Sequence, residues 1–288
     1  MKVAISGSGG YIASKLIEML AHSNYTIIRI QREHLRDVTT LVSIIDGTDV
    51  VINLAGAPIF RRWTKKHKEE ILESRVQSTK NIVKAINQLV YEKRPKLLIS
   101  ASAIGIYKPG LIHTESIYSL DDSFVSNIVL NWENATSDLS PDVRKVIFRI
   151  GLVLGKDSKT IQNLLPVFKL GLGGKLGSGK QPFPFIDIND AVRGILWSIR
   201  NEKAKGIYNL VSPQHITNEE FTKALAKAVK RPAIFAVPSV ILQLLLGERS
   251  TLLLKNPIVY PENLINQGFV YLYSDIEMCL NQIITNVD

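Results

Sequence analysis

Ile5-Ser6-Gly7-Ser8-Gly9-Gly10-Tyr11-Ile12-Ala13 is the stretch on which the reading of the fold turns. It closes a short apolar run at residues 2–6 and opens a helical pattern at residues 11–22. Gly7 and Gly10 let the backbone turn sharply and approach a pyrophosphate, and Ala13 is small enough for close helix–strand packing. A helix starting there aims free N–H groups and the positive end of its dipole at an anion. A glycine cluster alone is equally a flexible loop; between the first strand and first helix of an alternating chain it has the form of a dinucleotide phosphate turn. Gly7, Ser8, Gly9, Gly10, Tyr11 and Ile12 are therefore candidate cofactor contacts.

Outward from this turn, short β-branched runs alternate with longer helical patterns. Strands are expected at 2–6, 25–30, 50–54, 96–100, 145–149 and 207–211, and helices at 11–22, 38–45, 66–90 and 124–138, with one more after the fifth strand. The alternation implies crossovers joining parallel strands, an α/β class with a Rossmann-type doubly wound sheet. In the third helix Leu72, Val76, Thr79, Val83, Ile86 and Val90 make a core-facing stripe. Thr217-Asn218-Glu219-Glu220 has the form of a capping box opening a helix to about residue 230. Beyond it Pro232, Pro238, Pro257 and Pro261 punctuate short apolar segments. The expected division is a dinucleotide-binding domain at 1–230, with an insertion on the substrate side at about 156–182, and a small C-terminal lobe at 231–288 that helps to form a cleft.

The second strand ends at Gln31-Arg32, where an acidic residue would hold the ribose hydroxyls of NAD. Arg32 instead offers a guanidinium fork suited to a 2′-phosphate and favours NADP (NADPH); its bland reading is a solvated strand-end charge. Asp37 could accept from an adenine amino group with Val38 packed beside the ring, or Asp37 is a plain helix N-cap.

With 288 residues, 45% of them hydrophobic, the chain can bury a full core. The apolar run 237–246 is too short to span a bilayer, and Met1-Lys2 leads straight into strand residues, so neither a membrane partner nor secretion is expected. Cys279 is the only cysteine, which excludes an internal disulfide framework and fits a reducing, cytoplasmic location. The net charge of +9 invites a nucleic-acid reading, but the basic cluster Arg61, Arg62, Lys65, Lys66 and Lys68 runs into Glu69, Glu70 and Glu73, as on a solvated helix face. No nucleic-acid partner is expected; the positive field suits anionic cofactor and substrate.

The chain resembles the extended short-chain dehydrogenases, through Gly7-x-x-Gly10-x-x-Ala13, Arg32, Asn53-Leu54-Ala55-Gly56 and Ser100-Ala101-Ser102-Ala103. It is similar in particular to their "epimerase family protein" branch, through Ala57-Pro58-Ile59, Arg62-Trp63-Thr64, Ser74-Arg75-Val76, Trp132-Glu133, Gly171-Leu172-Gly173-Gly174 and Leu246-Gly247-Glu248. The resemblance implies an NADP-binding domain with Leu54, Ala55, Gly56 and Ser100 added to the cofactor contacts, a small-molecule substrate, nucleotide-linked in the relatives, and a small C-terminal domain. It leaves the reaction, and any homo-oligomer, open.

The superfamily generally uses a tyrosine with a lysine four residues on. Tyr11 and Lys15 match that spacing but lie in the phosphate turn; the helix after Ser102, from Phe124 to Glu133, holds neither residue. Ser102 stands as a hydrogen-bond partner for a substrate oxygen, and Tyr107 and Glu133 as acid or base candidates. Their bland readings are a turn-capping serine, an aromatic packed on a loop and a solvated helix charge. The glycine-rich segment 171–181, with Lys169, Lys175 and Lys180, could bend N–H groups around an anionic substrate or be a surface turn. Asp187 and Asn189 replace the branch's usual His and Asp, Lys108 an expected glycine, and Lys255-Asn256-Pro257 a usual acidic-Gly-Gln stretch. The expected protein is an NADP-binding oxidoreductase or epimerase-like enzyme, or a non-catalytic NADP(H) sensor that lacks the Tyr/Lys pair.

Overall fold

The computed structural model describes residues 1–285. Along the chain run β1 (Lys2–Ser6), α1 (Tyr11–Ala21), β2 (Thr26–Ile30), α2 (Val38–Ile45), β3 (Val50–Asn53), α3 (Lys65–Gln88) and β4 (Leu97–Ala103). There follow β5 (Ile112–His113), α4 (Phe124–Asn134), β6 (Arg144–Ile150), β7 (Leu152–Leu154), α5 (Lys159–Lys169), β8 (Gly174–Leu176), β9 (Phe185–Asp187), α6 (Ile188–Arg200) and β10 (Gly206–Leu210). The last elements are α7 (Asn218–Ala228), β11 (Phe235–Val237), α8 (Ser239–Leu246), α9 (Thr251–Leu254), β12 (Ile258–Val259), α10 (Glu262–Asn266) and α11 (Ile276–Thr285).

A six-stranded sheet has the order β10-β6-β4-β3-β1-β2. β1 pairs parallel with β2 on one side and with β3 on the other, so the strand order reverses at β1, the switch point where open α/β sheets bind ligands. Val3–Ser6 of β1 and all of β3 are buried, as the apolar runs Val3-Ala4-Ile5 and Val50-Val51-Ile52 require of a sheet covered on both faces. Ala13, Leu16, Ile17 and Leu20 bury one face of α1. The expected capping box is present: Thr217 accepts from the Glu220 amide, and Glu220 reaches back to the Thr217 N–H at 2.7 Å.

The third-helix stripe is displaced. Thr79, Val83 and Ile86 are buried as expected, but Val90 is 64% exposed, because the helix ends at Gln88 and the chain turns Leu89 inward instead. α4 likewise ends at Asn134, short of the expected 138.

Two compact units interleave along the chain. The first comprises Met1–Ile106, Asp122–Arg149 and Val192–Tyr208; the second comprises Tyr107–Asp121, Ile150–Ala191 and the chain from Asn209 onward. The chain passes from the first unit to the second after Ile106, Arg149 and Tyr208. The first unit's core includes Ala4, Val51, Leu98, Ile82 and Ile86, between the sheet, α2 and α3. The second is built around Leu154, Ile161, Phe168, Phe185, Phe221, Leu225 and Leu280, where α7 packs on α11. Each fully buried side chain of this size contributes about 1.5–3 kcal/mol. Among the described residues no helix is long and apolar enough to cross a membrane.

Candidate functional site

The glycine turn has the geometry of a cradle. Gly7 has φ +70°, and a Cβ there would lie 2.6 Å from the Leu54 carbonyl oxygen, so only glycine fits. Gly10 N–H donates to the Gly7 carbonyl at 2.8 Å and closes the turn. Gly9 faces open space. α1 then begins with Gly10 as N-cap, with no side-chain cap hydrogen bond and no acidic residue in its first turn. By contrast α2, α3, α4, α5 and α7 are capped by Asp37, Thr64, Ser123, Ser158 and Thr217. The uncapped helix end leaves its donors and dipole for an anion, and these residues fit a dinucleotide pyrophosphate. Of the other turn candidates, Ser8, Tyr11 and Ile12 are half-buried.

The loop after β3 is pinned beside that turn by buried polar contacts. Ser6 Oγ donates to Asn53 Oδ1 at 2.6 Å, Asn53 Nδ2 to Thr79 Oγ1 at 2.8 Å, and Trp132 Nε1 to the same hydroxyl at 3.1 Å. This chain joins β1, β3, α3 and α4. Ala57 N–H donates to Ser74 Oγ at 3.0 Å, and Trp63 Nε1 to the Ile59 carbonyl at 2.7 Å. Leu54 is half-buried, Ala55 buried and Gly56 exposed. Against Gly56 lies the Arg75 guanidinium: a Cβ at Gly56 would meet its Cζ at 3.0 Å. Arg75 Nη1 donates to the Ile71 carbonyl at 3.1 Å, and its Cζ sits 5.2 Å from the Trp132 ring centroid. Burial pushes the guanidinium pKa down to about 10.

Arg32 stands 70% exposed just past β2, and its Nη2 meets Glu70 Oε1 at 3.0 Å. Glu70 also takes His67 Nδ1 at 3.0 Å, and the hydrogen bonds from His67 and Arg32 hold its carboxyl below the usual range. Asp37 caps α2: its carboxylate accepts from the Thr39 amide and from the Thr40 amide and hydroxyl, and the Thr40 hydroxyl leads in lowering its pKa. Val38 is half-buried against the core.

At the carboxyl end of β4, Ser102 is 3% exposed and donates its proton to Glu133 Oε1 at 2.5 Å. Arg149, from the end of β6, holds the same carboxylate with two prongs, Nε to Oε1 at 2.8 Å and Nη2 to Oε2 at 2.7 Å. The side chains of Arg149 and Glu133 are 2% and 10% exposed. Glu133 is thus no solvated helix charge. A carboxylate gripped at both oxygens by a guanidinium is a fixed counter-ion that orients the Ser102 hydroxyl, whose lone pairs remain for an incoming donor. Ser100, 2% exposed, turns its hydroxyl to the Ala101 carbonyl at 3.3 Å. On α4, Ser126 donates to the Ile106 carbonyl at 3.1 Å.

Tyr107 belongs to the second unit. It is 1% exposed, donates to Asn209 Oδ1 at 2.7 Å and stacks on His113 at 4.8 Å between centroids. That environment matches the packed-aromatic reading, with the phenolic proton already committed. In the glycine-rich segment, Gly171, Gly177 and Gly179 take positive φ, while Lys175 pairs with Glu219 at 3.1 Å; Lys169 and Lys180 are exposed. Asp187 is fully buried, accepts from the Asn189 amide at 2.7 Å, and is pushed up to about 6 by desolvation, against the pull of that hydrogen bond.

Arg149 was not among the candidates from sequence, although an arginine inside the apolar run Val146-Ile147-Phe148-Arg149-Ile150 signals a buried charge in search of a partner. Arg75 entered only as part of a resemblance, its helix reading as a solvated charged face.

A family model described as NAD dependent epimerase/dehydratase family matches residues 3–210, and one described as a domain of unknown function (DUF1731) matches residues 237–283. An epimerase family protein of Staphylococcus haemolyticus is 34% identical over 294 residues, covering 97% of this chain and 98% of that protein. The crystal structure of a human epimerase family protein (isoform 2) with NADPH superposes with a TM-score of 0.93 at 30% identity, covering 99% of this chain and 100% of that one. A nucleoside-diphosphate sugar epimerase from Corynebacterium glutamicum superposes at 0.77 with 27% identity, over 99% of this chain and 58% of that one. With a family match over most of its length and relatives at this identity over nearly all of it, the chain belongs to the NAD dependent epimerase/dehydratase family.

Proposed function

We propose that the chain is an NADP(H)-binding oxidoreductase or epimerase-like enzyme acting on a small, anionic, nucleotide-linked substrate. The observation that carries this is the uncapped N-terminus of α1 behind a turn where only glycine fits at position 7. Gly7, Ser8, Gly9, Gly10, Tyr11 and Ile12 would hold the pyrophosphate, Leu54, Ala55, Gly56 and Ser100 the neighbouring part of the dinucleotide, and Arg32 the 2′-phosphate that distinguishes NADP from NAD. Asp37 and Val38 would border the adenine. The NADPH in the human relative and the name of the Corynebacterium glutamicum relative support the cofactor and the nucleotide-linked substrate. When bound, the cofactor supplies hydride transfer at its nicotinamide. The chain's own contribution is Ser102, which accepts from a substrate hydroxyl while Glu133 and Arg149 fix its orientation.

The test is calorimetric titration of cofactor-free protein with NADPH and NADH, on the wild type and on Arg32→Ala. A preference for NADPH that disappears in the variant supports the assignment; absence of binding by either dinucleotide overturns it. Turnover on a nucleotide-sugar panel should fall in Ser102→Ala.

One observation favours a second reading, a non-catalytic NADP(H) sensor. α4 carries no tyrosine or lysine, and both oxygens of Glu133 are committed to Arg149. That reading expects dinucleotide binding with a conformational difference between redox forms and no turnover.

A further inference from the structure

Glu70, from the second turn of α3, brings a carboxylate to Arg32, and the contact is one-pronged: Arg32 Nη2 meets Oε1 at 3.0 Å. The other oxygen, Oε2, faces His67 Nδ1 at 3.0 Å, one turn back on the same helix. His67 is no surface group. It is 8% exposed, its backbone N–H donates to Thr64 Oγ1 at 3.2 Å, and its Nε2 lies 2.9 Å from the Pro58 carbonyl. The ring is clamped between α3 and the loop after β3, whereas the Arg32 side chain is 70% exposed. Of the two side chains on Glu70, His67 does more than Arg32 to hold its carboxyl below the usual range. A carboxylate with both oxygens free grips a guanidinium with two prongs, the stronger geometry, as Glu133 and Arg149 do in this same chain.

We propose that His67 is a positioning residue for cofactor choice. By holding one oxygen of Glu70, it keeps the Arg32–Glu70 pair single and leaves the Arg32 fork open to the 2′-phosphate that NADPH carries and NADH lacks. His67 acts through Glu70 and Arg32 and touches no part of the cofactor itself. The proposal rests on the reading of Arg32 as the 2′-phosphate ligand.

Calorimetric titration with NADPH and NADH tests it, on wild type, His67→Gln and His67→Asn, and on the same changes in a Glu70→Gln background. An asparagine amide nitrogen stands near the place of Nδ1 and a glutamine's near the place of Nε2. His67→Asn therefore keeps a donor for Glu70 and drops Pro58, and His67→Gln does the reverse. His67→Gln should bind NADPH about threefold more weakly, the scale of an exposed ion pair, with NADH unchanged, while His67→Asn stays within about 1.5-fold of wild type for both. In the Glu70→Gln background the loss in His67→Gln should vanish, since the residue it acts through is gone. A loss in His67→Asn with His67→Gln unaffected, or an equal loss for NADPH and NADH, marks an anchor of the Pro58 loop and overturns the proposal. So does a loss in His67→Gln that persists without Glu70, or no change in its preference for NADPH over NADH. If Arg32→Ala leaves that preference intact, the reading of Arg32 falls first and the proposal with it.

Discussion

Replacing Arg149 by methionine leaves the Glu133 carboxylate without its two-pronged partner in a place where water cannot replace it. The pair is bidentate at 2.8 and 2.7 Å, with the two side chains 2% and 10% exposed, so neither the entropy nor the screening that weakens surface pairs applies. Breaking one side of such a pair costs about 3–5 kcal/mol, most of it the orphaned charge. Urea unfolding of Arg149→Met should therefore show a large fall in midpoint at unchanged slope. Glu133→Gln, which orphans the guanidinium, should fall comparably. The double variant Glu133→Leu/Arg149→Met carries neither charge of the pair and gives up the hydrogen bond from Ser102. It should recover to within about 1–2 kcal/mol of wild type, since hydrophobic replacement of a buried pair is often neutral. A loss below about 1 kcal/mol in Arg149→Met, or a double variant as unstable as the two single losses added, would refute the account of Glu133 as a fixed counter-ion.

Glu70 pairs with Arg32 at 3.0 Å, and on the proposed role of Arg32 it would compete with the 2′-phosphate, so Glu70→Gln should tighten NADPH binding by up to about fivefold, the worth of an exposed ion pair, and leave NADH unchanged. Weaker NADPH binding in that variant would count against Arg32 as the phosphate ligand. Asp187, pushed up from 3.8 to about 6 by burial, stays protonated in the folded chain over a range where the unfolded chain has already ionised. Its folded form binds the extra proton, so this group makes stability fall as pH rises from about 4 to 6, by on the order of 2–3 kcal/mol. Asp187→Asn should flatten that segment of the stability–pH curve and raise stability above pH 6; a variant curve parallel to the wild type's would show that the group does not titrate there.

The architecture was legible because its signals are local. Residues 2–6 and 38–45 form β1 and α2 with the expected bounds, since apolar periodicity and the Asp37 cap act within a few residues. The glycine turn was legible for the same reason: glycine at 7 and 10 and a helix directly after it state the backbone requirement in sequence. Periodicity misplaced the end of α3, where Val90 keeps the stripe's spacing but Leu89 is the residue buried, because the turn that ends a helix answers to its surroundings.

What only the tertiary structure decided is which charges meet. Glu133 and Arg149 are 16 residues apart and lie on different elements; Arg75 and Trp132 sit on separate helices; nothing in their local sequence pairs them. Tyr107, a phenol near Ser102 in sequence, is committed to Asn209 instead. The sequence determined the elements, their order and the glycine turn, because backbone sterics and side-chain periodicity act over a few residues. The structure decided the roles of the charged groups, because desolvation and pairing depend on neighbours that the folded sheet brings together from distant parts of the chain.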